Sequence, residues 1–117
     1  MTTTATYDLE INQGATYSLQ LAFQTDQNTP MDLTGYAGLS EIRHNATREL
    51  AATFTVTIVD TLLGLVSLEL SAEDAALLPF STKVPNLAYD LVFTIGTEVL
   101  RALEGSVSVS RQVTVIP

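Results

Sequence analysis

Leu87-Ala88-Tyr89-Asp90-Leu91-Val92-Phe93-Thr94-Ile95 and Glu98-Val99-Leu100-Arg101-Ala102-Leu103, joined by Gly96-Thr97, are the stretch on which the fold turns. In the first arm Leu87, Tyr89, Leu91, Phe93 and Ile95 share one parity, and Ala88, Asp90, Val92 and Thr94 share the other. Side chains alternate across a strand, so this arm is a strand with one buried face. Glycine accepts the positive φ of a tight reversal at little cost, so Gly96-Thr97 turns the chain and the two arms make a hairpin. Past Leu103 the pair Glu104-Gly105 interrupts the alternation before Ser106-Val107-Ser108-Val109-Ser110 restores it. A glycine inside a strand marks a bulge or a close backbone approach, and a long, bent final strand is expected.

Working back to the N-terminus, the same period recurs. Residues 1–6 are small and polar and are expected to be disordered. Tyr7, Leu9 and Ile11 then alternate with Asp8, Glu10 and Asn12 as a first strand. Tyr17, Leu19, Leu21 and Phe23 are the inward residues of a second. Tyr36 to about Arg43 is a third, whose inner face is ambiguous because Leu39 and Ile42 differ in parity. Leu50 to Val59 places Phe54, Val56 and Ile58 on one side, and Leu65 to Leu70 follows a turn at 60–64. Ser71-Ala72-Glu73-Asp74 before Ala75-Ala76-Leu77-Leu78-Pro79 is the one helical signal, with Ser71 as N-cap, acids in the first turn and proline as the stop. Leu77 and Leu78 are expected to close one end of the core. About seven strands with short turns and one short crossover helix predict an all-β chain, an immunoglobulin-like β-sandwich without the cysteine pair and tryptophan of antibody domains. Residues 7–117 form a single domain on this reading.

At 117 residues with 46% hydrophobic content, the chain has enough material for one core. Only 15% is charged, against roughly 25% in most globular proteins, so its surface is hydroxyl-rich, as suits strands or a protein covered by neighbours. Thirteen acids against five basic residues give a net charge of −8, which argues against nucleic acid as a partner, since phosphate binding needs clustered Lys and Arg. There is no cysteine, hence neither a disulfide nor a thiolate metal site. No stretch approaches the length of a membrane span, and the N-terminal residues lack the basic and apolar regions of a secretory signal. A soluble protein with no membrane partner is expected.

Reactive chemistry is thin. The single histidine, His44, has no second histidine or cysteine with which to share a metal, and serine has no other base to activate it. Asp26, Asp32, Asp60, Glu73 and Asp74 each have a local role as a turn or cap residue, and no dense acidic loop suggests calcium. Asn45-Ala46-Thr47 matches a glycosylation triplet, which means nothing without secretion. Lys83, the only lysine, lies in a loop and is a poor candidate for a buried isopeptide bond. Tyr7, Tyr17 and Tyr89 fall on inward parities, leaving Tyr36 as the exception and little aromatic surface for sugar stacking. No catalytic residue, cofactor or metal is expected.

The order of motifs resembles a family of small bacteriophage structural domains, the immunoglobulin-like domain of phage tail and baseplate proteins, including the N-terminal domain of baseplate upper proteins. The likeness is carried by Ile11-Asn12-Gln13-Gly14-Ala15-Thr16-Tyr17, Pro30-Met31-Asp32-Leu33-Thr34-Gly35-Tyr36, Leu68 to Ala72, Tyr89-Asp90-Leu91 and Arg101-Ala102-Leu103-Glu104-Gly105. It spans about Tyr7 to Val115, in order and spacing more than in any one motif. The resemblance implies a non-enzymatic virion component, a connector or adaptor of the tail, baseplate or tail fibre, assembled in the host cytoplasm with other virion subunits as partners. A capsid decoration or head-fibre protein is the nearest alternative, and a carbohydrate-binding adhesin module a further one. A homo-oligomer is compatible with fibre association, although no heptad pattern supports a coiled coil. Exposed sheet edges accept partner strands, so the docking segments are expected to be the first strand, with Tyr7, Leu9 and Ile11, or the tail, with Val113, Val115 and Ile116.

Overall fold

The Gly96-Thr97 reversal joins β7 (Leu87–Ile95) to β8 (Glu98–Ser110), with Ile95 opposite Glu98 and Leu87 opposite Val107. The computed structural model describes residues 5–25, 29–79 and 86–111. Around the hairpin lie β1 (Ala5–Thr6), β2 (Leu9–Asn12), β3 (Tyr17–Ala22), β4 (Ala37–His44), β5 (Leu50–Asp60), β6 (Leu65–Leu70) and α1 (Ala72–Ala76). Among the described residues eight strands thus stand where the alternation suggests about seven. The extra one is β1, because Ala5 and Thr6 pair with Leu103 and Glu104 of β8 instead of trailing off.

The strands form one hydrogen-bonded path, β1-β8-β7-β4-β5-β6-β3, with β2 also paired to β8. This path folds over at β5. Up to Phe54 the strand pairs with β4, and from Thr55 it pairs with β6. One layer therefore holds β1, β2, β8, β7 and β4, the other β6 and β3, and β5 serves both. Phe23 of the second layer meets Phe93 of the first edge-to-face, with ring centroids 5.4 Å apart, and Tyr17 lies 6.0 Å from Phe54. The pairings β3–β6, β4–β7 and β7–β8, with β2 parallel to β8, are those of an immunoglobulin-like sandwich, which is the fold of this chain.

The alternating residues fill the core as their parity dictates. Leu87, Tyr89, Leu91 and Phe93 are buried on β7, and Val66, Leu68 and Leu70 on β6. On β4 the inward parity is even, with Ile42 and Ser40 buried and Leu39 54% exposed. Its inner face was hard to read because it holds a glycine and a serine. A Cβ on Gly38 would lie 2.5 Å from Val56 Cγ1, and the Ser40 hydroxyl is satisfied by donating to the Asp90 carbonyl at 2.6 Å. On β8 the register slips at Ala102, since Leu91 faces Leu103 while Val92 faces Arg101, and Ala102 and Leu103 are both buried.

The helix is capped as its sequence demands, with Asp74 N–H donating to Ser71 Oγ at 3.2 Å. It is only five residues long, and the two leucines in the turn that follows it part company. Leu78 is 1% exposed and closes the core, whereas Leu77 is 79% exposed. Neighbouring residues on a helical turn point about 100° apart, so only one of the pair can face inward. Gln13 fastens the crossover to the end of β2 by donating from Nε2 to the Leu78 carbonyl at 2.8 Å.

Candidate docking surfaces

The first edge of the sandwich is formed by β2. β2 runs parallel to β8, Leu9 opposite Val107 and Ile11 opposite Val109, and this places both side chains in the core at 3% and 0% exposure. Tyr7 is 49% exposed, so its inward parity is not realised. The reason is a break between β1 and β2. Tyr7 N–H donates to the Glu104 carbonyl at 2.9 Å, but at the next step Ser106 N–H is taken by the Asp8 carboxylate at 3.0 Å. The Tyr7 carbonyl lies over Gly105 and accepts the Tyr89 hydroxyl at 2.5 Å. Burial, followed by Tyr17, Asp8 and Tyr7, pushes the Tyr89 hydroxyl well above the ordinary tyrosine range. Of the predicted docking residues, Leu9 and Ile11 thus place their side chains in the core and Tyr7 is exposed, while β2 has β8 as its one strand partner among the described residues. Val113, Val115 and Ile116 lie outside the described residues.

The second edge is built differently. β3 has β6 as its one strand partner among the described residues, and its sequence, Tyr-Ser-Leu-Gln-Leu-Ala, holds no charge, no proline and no glycine. These are the devices by which edge strands avoid pairing, so this edge is unprotected. Phe23 N–H donates to Gly64 at 2.9 Å, continuing the β3–β6 ladder, and antiparallel hydrogen bonding alternates along a strand. The odd residues of β3 therefore turn their backbone groups to β6, and Ser18, Gln20 and Ala22 present theirs to the open side. The same edge leaves the core half covered, because Tyr17, Leu19, Leu21 and Phe23 face inward yet are only partly buried. Their counterparts on β6 are shut off from solvent.

The outer face of β4, β7 and β8 carries the charges. Glu41, Arg43, His44, Arg48, Asp90, Arg101 and Glu104 help to line an open concavity of about 350 Å³. Arg43 pairs with Glu41 at 2.8 Å, and Arg101 lies 3.7 Å from Asp90 and 3.6 Å from Glu104. Three arginines are matched there by three carboxylates, so the hollow has no charge excess to select an ion. Exposed pairs of this kind are worth about 0–1 kcal/mol each. Among the described residues no group of three or more His, Cys, Asp or Glu is placed to hold a metal. Asp32 has its carboxyl lowered by bonds from the Thr34 hydroxyl and N–H, at 2.6 and 2.9 Å. It caps a turn at Leu33–Tyr36, as its place in the loop suggests.

One apolar feature escaped the sequence reading. Leu62 and Leu63 occupy the tip of the β5–β6 turn, 67% and 51% exposed. Their N–H groups are held by the Asp60 carboxylate at 3.0 and 3.2 Å, which fixes the pair in place. Two leucines where a turn ordinarily takes polar residues were the legible signal.

No family model matches the chain, and no curated protein matches it. Among solved structures it is similar to the N-terminal Ig1-2 module of the Drosophila receptor protein tyrosine phosphatase DLAR, at 14% identity and a TM-score of 0.41. The similarity covers 90% of this chain and 45% of that one, so the chain spans less than half the length of that structure.

Proposed function

We propose that this chain is a non-enzymatic structural component of a bacteriophage virion, a connector or adaptor of the tail, baseplate or tail fibre. It acts by docking to other virion subunits and is assembled with them in the host cytoplasm. The observation that supports docking is the β3 edge, uncharged over its six residues and open beside a half-covered core. The virion assignment rests on the order of motifs from Gln13-Gly14 through Pro30 to Tyr36 and on to Glu104-Gly105. Mass spectrometry of purified particles of the phage that carries the gene tests it. The chain is expected in stoichiometric amounts with the tail proteins, and its absence from the particles would remove the reading.

A further inference from the structure

We infer that the open edge of β3 is an acceptor for an extended strand, and that the strand is the C-terminal segment 112–117 of a second copy of this chain. The inference deepens the docking reading and rests on it for the role of the edge. The acceptor is defined by two features in one place: backbone groups of Ser18, Gln20 and Ala22 that point away from β6, and the partly buried inward side chains of Tyr17, Leu19, Leu21 and Phe23. A strand laid there would satisfy the first and cover the second.

The width of the layers decides what fits. β3 faces β7 through Phe23 and Phe93, and the first layer continues beyond β7 with β8 and β2. A second sandwich bringing its own β3 alongside would drive its β8 and β2 into these strands. A lone extended segment meets no such obstacle.

Gln112-Val113-Thr114-Val115-Ile116-Pro117 has the matching chemistry. Val113 and Val115 share a parity and can face the core, while Gln112, Thr114 and Ile116 lie on the other face. The segment has no charged side chain and neither has β3, so two molecules of net charge −8 can meet there without like-charged side chains in contact. The chain's own tail is the poorer donor. It leaves from Ser110, which is paired to Asn12 in the first layer, at the end where β3 begins. A strand laid on the edge from that end would run parallel to β3. A second copy's tail can enter from the other end and pair antiparallel, the stronger arrangement.

Sedimentation of the full chain, together with two variants, tests this. Gln20→Pro removes one backbone N–H from the receiving edge at a solvent-facing position, where proline is tolerated, and a truncation after Arg111 removes the incoming strand. The wild-type chain is expected to associate beyond 12.6 kDa as concentration rises, with slowed hydrogen exchange at Ser18, Gln20 and Ala22. Each variant alone should associate at least roughly fivefold more weakly, the loss of one or more hydrogen bonds. Mixed, they should form a one-to-one heterodimer, because the truncated chain keeps its acceptor and Gln20→Pro keeps its tail. Gln20→Lys, which leaves the backbone donor in place and sets a charge at the edge, should weaken association as well and guards against a fold defect in the proline variant.

A wild-type chain that stays monomeric with fast exchange at those amides would overturn the inference, as would a mixture that fails to pair. Protected β3 amides in a monomer, lost on truncation, would show the edge filled by the chain's own tail and overturn it too. None of these results needs a virus particle, so the virion assignment stands or falls separately.

Discussion

The Tyr89 hydroxyl donates to the carbonyl oxygen of Tyr7 at 2.5 Å, joining residues 82 positions apart. Tyr89 sits opposite Gly105 on β8, and the Tyr7 backbone crosses that glycine, so three segments are fixed by one phenol. The bond ties the start of the first strand layer to β7 and β8.

Replacing Tyr89 by Phe keeps the ring's packing against Phe54, at 6.2 Å, and removes the donor. The Tyr7 carbonyl then loses its partner, which costs about 1–2 kcal/mol. A thermal melt should show a midpoint lower by about 4–8 °C. An unchanged midpoint would mean the bond contributes nothing.

Alkali should weaken the fold through the same residue. The folded state holds the Tyr89 proton above its ordinary value near 10, so the folded chain binds more protons than the unfolded one in that range. The associated stability is whole below pH of about 10 and is lost as pH rises through the folded value. Denaturant titrations at pH 8 and above should show the decline, and Tyr89→Phe should flatten it.

Gly105 and Gly96 separate two reasons for glycine. A Cβ at Gly105 would lie 2.7 Å from the Tyr7 carbonyl carbon and closer still to its oxygen, and backbone cannot move aside cheaply. Gly105→Ala should cost about 2–3 kcal/mol and loosen β1 and β2, visible as faster exchange at Tyr7. At Gly96 a Cβ would meet nothing, and only the φ of +57° opposes alanine, so Gly96→Ala should cost about 1–2 kcal/mol.

The two leucines after α1 should respond oppositely. Leu78→Ala empties a buried position and is expected to cost about 2–5 kcal/mol, whereas Leu77→Ala should fall within about 0.5 kcal/mol of wild type. Equal effects in urea unfolding would contradict the assignment of Leu78 to the core.

Much of this architecture could be read locally. The parity of Leu87 to Phe93 and of Val66 to Leu70 is a one-strand property, as is the cap at Ser71, and the structure repeats them. The close approach foreseen at Gly105 is there, while the bulge sits at Ala102, where no residue type announces it. Tyr7 was misjudged because the turn of its carbonyl toward Tyr89 depends on a residue far along the chain. The side chains of Leu9 and Ile11 lie in the core, as their parity dictates. Which strands come to lie at the edges depends on pairing, and alternation alone is the same in β2 and β3.

The central claim, a docking component of a phage particle, is tested most directly by electron microscopy of purified virions labelled with an antibody against this chain. The account predicts label at the tail or baseplate end, repeated on each particle. Particles without label, from a preparation in which the chain remains in the lysate supernatant, would contradict it; label confined to the head would contradict the tail assignment and favour a decoration protein.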